Sequence, residues 1–206
     1  MVKKILLLAV LALALPLAAF ASGHVDFSNE GGTLSGSASG LSLSGSALTA
    51  VNGLYGGGLI TGNDLGTVSF TTGAFLTGNI HDGGTLAAGG TFSIVGNGVN
   101  GVPNGVIFSG TFTNATWAPI GSALTNGTQY YSLSGQISGN LGSGFSTTGA
   151  TIQLTVNIDT HKGYFTGADL GSGDTNVVVP EPGTLSLLGT GLIGLAGLVR
   201  RKLNLV

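Results

Sequence analysis

Alternation with a period of two runs through the middle of this chain and leaves it little to fold into except β-structure. Ile152, Leu154, Val156 and Ile158 alternate with Thr151, Gln153, Thr155 and Asn157. Tyr131, Leu133 and Ile137 alternate with Ser132, Ser134, Gln136 and Ser138, and Val106, Phe108 and Phe112 with Ile107, Ser109 and Thr111. Val68 with Phe70, and Phe92 with Ile94, are shorter versions. Each segment has one apolar and one hydroxyl face, as in antiparallel strands with one face in a core and the other in water. No stretch keeps the 3.6-residue apolar period over the roughly 10–12 residues that a helix requires. Gly83-Gly84, Gly89-Gly90, Asn97-Gly98, Asn104-Gly105 and Asn126-Gly127 supply turn chemistry between the segments. Many strands at near-regular spacing predict an all-β fold, a single antiparallel β-sandwich or jelly-roll-like domain over residues 22–178. A Gly-rich β-solenoid is the alternative suggested by Gly31 to Ser46, but no repeat period survives past Asn52. Disorder requires few aromatics, and the middle holds Trp117 and all four Tyr.

The two ends are of another kind. Lys3-Lys4, the apolar run Ile5 to Leu15, Pro16 and the small-residue exit Ala19-Phe20-Ala21 form a secretory signal peptide over residues 1–21, with its apolar core as a helix and cleavage after Ala21. The apolar run falls short of the roughly 20 residues that a stable span needs. At the other end Val179-Pro180-Glu181-Pro182 precedes an uncharged stretch, Gly183 to Val199, and then Arg200-Arg201-Lys202. That stretch is at the short limit for a transmembrane helix, in which its glycines are tolerated. The basic cluster Arg200, Arg201 and Lys202 acts as a stop-transfer signal held on the cytoplasmic side. With the ends set aside, residues 22–179 hold seven acids and the single base Lys162. A basic nucleic-acid surface is thereby excluded, as are a disulfide framework and cysteine chemistry in a chain with no Cys.

The C-terminal pattern resembles the PEP-CTERM sorting signal, here spanning residues 179–203, the tag borne by substrates of exosortases in Gram-negative bacteria. The resemblance rests on Pro180, Glu181 and Pro182, one short Gly- and Leu-rich span, and the terminal basic cluster, in that order. It implies export through the Sec translocon, cleavage by signal peptidase, and transient anchoring in the inner membrane by the C-terminal helix. An exosortase then recognises the Pro180–Pro182 motif, removes the tail, and delivers the product to the cell surface or extracellular matrix. Proteins with this tag are often associated with exopolysaccharide and biofilm production. The resemblance implies nothing about the fold of the middle.

Chemistry in the middle is sparse. Gly96 to Gly101 fits G-x-G-x-x-G, but Pro103 and Asn104-Gly105 follow where a dinucleotide fingerprint opens a helix, so it reads as a turn. No G-x-S-x-G elbow is present, and His24, His81 and His161 are scattered. No catalytic residues are assigned, and the chain is not expected to be an enzyme; an extracellular hydrolase is the third-ranked function. The one cofactor left open is a structural calcium ion, with Asp159, Asp169 and Asp174 as oxygen ligands. First and last strands of a sandwich can lie together, which would add Asp26 and Glu30. The leading expectation is a matrix structural or interaction protein. The second is a carbohydrate-binding module in which Trp117 and Tyr131, or Tyr55, Tyr130 and Tyr164, stack on sugar rings, although a core position is favoured over the rim for Trp117.

Overall fold

The computed structural model describes residues 23–122, 124–125, 128–142, 146–159 and 166–179. Its strands in chain order are β1 (Gly23–Glu30), β2 (Thr33–Ser37), β3 (Gly40–Asn52), β4 (Ile60–Thr61), β5 (Gly66–Thr71) and β6 (Phe75–Asn79). There follow β7 (Gly83–Leu86), β8 (Gly89–Asn97), β9 (Asn104–Ile120), β10 (Thr128–Leu141), β11 (Ser146–Asp159) and β12 (Thr166–Val179). One 3-10 turn, Leu54–Gly56, is the only helical element among the described residues. The expected signal-peptide helix and C-terminal transmembrane helix lie outside these residues, as do the sorting motif, the basic cluster, Ala19, Ala21, His161 and Tyr164.

The all-β expectation holds, with most of the described residues in strands, but the sandwich does not. All strands belong to one antiparallel sheet, and that sheet closes on itself. Three pairs of short strands are long strands broken at a corner. β1 and β2 both pair with β3, β7 and β8 both pair with the same side of β9, and β5 and β6 pair with β8 and β7 respectively. Taking these as β1–β2, β3, β5–β6, β7–β8, β9, β10, β11 and β12, the described residues form an eight-stranded up-and-down ring. β10 pairs with β9, β11 with β10, and β12 with β11, while β12 also bonds to β1 and β2. A sandwich keeps two sheets with open edges; here the last strand pairs with the first, which removes those edges. Alternation is the same in a sandwich and a barrel, so the sequence pattern could not distinguish them.

The corners have local causes. Between β1 and β2 the chain passes through Gly31 and Gly32 at φ 64° and 86°. A Cβ on Gly32 would lie 2.6 Å from the Ser46 backbone nitrogen, so a side chain there is excluded twice over. Between β5 and β6 the Thr72 hydroxyl accepts from Leu41 N–H at 2.9 Å and donates to the Gly73 carbonyl at 2.9 Å, covering groups that the broken ladder leaves.

Apolar side chains fill the interior. Phe70, Phe92, Phe108 and Phe112 form one cluster from β5, β8 and β9, with ring centroids 5.8–6.3 Å apart in edge-on and stacked pairs. The outer face carries Thr67, Ser69, Thr71, Thr91, Ser93, Ser109, Thr111 and Thr116, among others. Hydroxyls pair across strands on this face, Thr71 with Thr91 at 3.1 Å and Thr77 with Thr85 at 2.7 Å. Apolar inside and hydroxyl outside is the reverse of a lipid-facing barrel.

Two bulges in β9 change which residues point inward. Ile94 pairs with Phe108 but Val95 pairs with Val106, so Ile107 is the extra residue. Ile107 is therefore buried at 1% exposure while Val106 stands out at 55%, the opposite of the assignment made by strict alternation. Farther along, Ile137 faces Phe112 and Gln136 faces Asn114, which leaves Thr113 as an extra residue. Counting in twos from Phe112 would put Trp117 outside; the bulge turns it in.

Candidate functional sites: the aromatic pair and the terminal seam

Trp117 on β9 and Tyr131 on β10 do come together, but inside the barrel. Their rings stack with centroids 4.7 Å apart and planes 3° from parallel. Trp117 is 0% and Tyr131 3% exposed. Trp117 Nε1 donates to the Ile80 carbonyl and the Tyr131 hydroxyl to the His81 carbonyl, each at 2.8 Å. Burial, and secondarily the Asp82 charge, push the Tyr131 phenol above its ordinary pKa, so it stays a donor. The pair thus pins the β6–β7 turn and offers no face to a sugar. Of the other aromatics, Tyr55 and Tyr130 are exposed.

That turn explains His81-Asp82. Asn79 Oδ1 accepts from His81 N–H at 2.8 Å and Asp82 N–H at 3.0 Å, and Asn79 Nδ2 donates to Asp82 at 2.7 Å. These are the self-satisfying bonds of an Asn turn. Gly96 to Gly101 is likewise the end of β8 and a turn, and β9 rather than a helix follows.

The acidic residues divide into two places. Asp169 on β12 is level with Asn157 on β11, and Asp159 lies two residues beyond Asn157, so both belong to one end of the β11–β12 hairpin. Asp174 sits five residues along β12, about 16 Å away at strand rise. It is brought instead to Asp26 on β1, at the seam where first and last strands meet. Asn176 Nδ2 donates to Asp26 Oδ1, and His24 Nδ1 lies 3.3 Å from Asn176 Oδ1. Among the described residues no three His, Asp or Glu side chains converge on a metal-sized site.

Partial burial, then the neighbouring Asp26 charge, push the Asp174 carboxyl above the usual range, against lowering bonds from Ser28 and the Thr175 N–H. The folded protein therefore holds this proton more tightly than the unfolded chain. Stability falls as pH rises from about 3.9 through the folded pKa, and the loss persists at neutrality. Asp174→Asn keeps an acceptor and removes the charge. It should raise stability at pH 7 by about 0.5 kcal/mol, or roughly 1–2 °C in Tm, and flatten that acidic slope. The gain is small because the pair is solvent-screened, and it should shrink in high salt. A loss of stability at pH 7 would contradict the repulsion.

Sequence reasoning did not find the buried polar atoms. Asn29 Oδ1 and Thr175 Oγ1 face inward without a partner, although Asn29 Nδ2 donates to Ser46 Oγ at 2.7 Å. The signal was present: Val25, Phe27 and Asn29 are in step, and only the third is polar. A shallow, mostly apolar groove of about 390 Å³ at the β2–β3 hairpin is lined by Gly36, Gly40 and Leu41 together with Ser35, Ser37, Ser39, Ser42, Thr71 and Thr72.

β12 runs to Val179 without a spacer, and residues 178–202 match the family model of the PEP-CTERM protein-sorting motif. The match covers the C-terminal region alone. No curated protein and no solved structure matches the chain. The chain is therefore an exported protein that carries a PEP-CTERM sorting signal for processing by an exosortase, with a cell-surface or extracellular destination.

Proposed function

We propose that the barrel is a non-catalytic structural or interaction component of the cell surface or extracellular matrix, associated with exopolysaccharide. The observation that carries this reading is the outer face, where hydroxyls and amides replace most of the charges of an ordinary protein surface. Asn114 and Gln136 continue the pattern, paired side chain to side chain at 3.0 Å. Such a face exchanges hydrogen bonds with polymer hydroxyls at many equivalent points, without a charge to select one polymer. The protein should therefore co-sediment with exopolysaccharides of differing sugar composition, weakly and without saturating. A saturable affinity for one glycan would favour the second reading, a binding module using the shallow groove between β2–β3 and Thr71–Thr72, where hydroxyls stand beside apolar surface. Turnover of the polymer would overturn the non-catalytic assignment.

A further inference from the structure

The exposed large apolar residues gather at the two ends of the barrel. Leu76, Ile120, Leu124 and Tyr130 lie toward the end bearing the β6–β7 and β9–β10 turns. Tyr55, Leu59, Val99 and Val106 lie toward the other end, where β1 begins and β12 stops. Tyr55 and Leu59 are 61% and 65% exposed on the β3–β5 connection, and Val99 projects from the β8–β9 turn. These two loops are tied together, since Asn97 Nδ2 donates to the Asp64 carbonyl at 2.9 Å and Asn97 N–H to the Leu65 carbonyl at 3.1 Å. The β3–β5 loop also starts against the first strand: a Cβ on Gly53 would lie 2.1 Å from the His24 carbonyl. Tyr55 is held there at φ 52°, ψ 29°, a left-handed conformation that a bulky side chain rarely adopts.

We propose that this end of the barrel docks on the lipid surface of the membrane from which the sorting tail is processed, with Tyr55, Leu59 and Val99 entering the headgroup layer. The proposal rests on reading Leu185 to Val199 as a membrane span. Chain reach selects this end over the other. From Val179 to Leu185 is six residues, at most about 20 Å of extended chain. The strands, 14 residues long in β10, β11 and β12, make a wall about 35 Å high at ordinary barrel tilt. β12 stops at the end carrying Tyr55 and Leu59, so the sequence that leads to Leu185 leaves the barrel there. A ring with a polar tip beside aliphatic side chains suits the interface between headgroup and acyl chain. Attraction to anionic lipid plays no part. No Lys or Arg occurs between Lys4 and Lys162, and the charged groups facing this end are Asp64, Asp26, Asp174 and the titratable His24. The docking is weak by itself and effective because the tail confines the barrel at high local concentration, so tail removal releases it.

The chain has no Cys, so single labelling sites can be introduced cleanly. Full-length Leu59→Cys, Val99→Cys and Leu124→Cys, each bearing an environment-sensitive dye, would be reconstituted into phosphatidylcholine vesicles containing a lipid-borne quencher at shallow depth. Quenching at 59 and 99 should exceed that at 124 by at least about threefold, since interfacial side chains enter about 5–10 Å. Adding Tyr55→Ser to the Leu59→Ser background should at least halve quenching at 99, and replacing part of the lipid by phosphatidylglycerol should not raise it. Equal quenching at both ends, or none at 59, overturns the docking; the latter is also the outcome if this end binds a membrane protein instead of lipid. Vesicle flotation reports separately whether the chain inserts, so failure of the tail as an anchor is distinguishable from failure of the barrel end to dock.

Discussion

Trp117→Ala should lose about 3–5 kcal/mol of unfolding free energy, the range for removing a large aromatic from a packed core. At roughly 2–4 °C per kcal/mol for a domain of this size, the melting temperature should fall by about 6–20 °C. The loss has three sources. The indole is wholly buried, it stacks on Tyr131 at 4.7 Å, and it donates to the Ile80 carbonyl. Trp117→Phe separates them, because it keeps most of the apolar volume and leaves the Ile80 carbonyl without its donor. Its cost should be about 1–3 kcal/mol, the desolvation penalty of one orphaned group. Chemical denaturation of the two variants measures both numbers. If Trp117→Ala costs under about 1 kcal/mol, the ring is not in the core.

Replacing Pro180, Glu181 and Pro182 together by Ala should abolish processing and leave the whole population with its tail, in the membrane fraction. Proline fixes φ and has no N–H, so this segment can neither extend the β12 ladder nor continue as a helix interior. By this sequence argument the motif offers an enzyme a hydrogen-bond-poor segment that it can bind without first unfolding a helix. Three alanines remove that restriction and favour helix from the following apolar stretch. The barrel itself should melt as before, since its last strand ends at Val179. Cell fractionation with detection of the barrel measures the effect, and extracellular protein at normal level from this variant would contradict the motif's role.

The strands were legible in the sequence because burial of one face imposes a period of two, and β10 keeps that period with Tyr131, Leu133 and Ile137 all inside. Parity was legible only between bulges. One extra residue at Ile107 reversed Val106 and Ile107, and another at Thr113 turned Trp117 into the core, the position favoured for it over the rim. No local propensity marks either position, because the bulge is set by pairing with β8 and β10. Closure was illegible for the same reason: the pairing of β12 with β1 is a contact between chain ends. The first and last strands do meet, by closure of the barrel rather than within a sandwich, and this brings Asp26 beside Asp174. Asp159 and Asp169 lie elsewhere because strand rise separates them from Asp174, a distance that counting acids along the chain does not convey.

The sorting signal was the most legible feature because it is linear: proline pair, apolar stretch and basic cluster act in order and need no tertiary contact. The central claim is that the working protein is the barrel without its two ends. Intact mass of the protein recovered from outside the cell tests it most directly. A mass lacking Met1 to Ala21 and everything beyond the Pro180–Pro182 region is the predicted result, and a mass that still includes Arg200 to Val206 would contradict it.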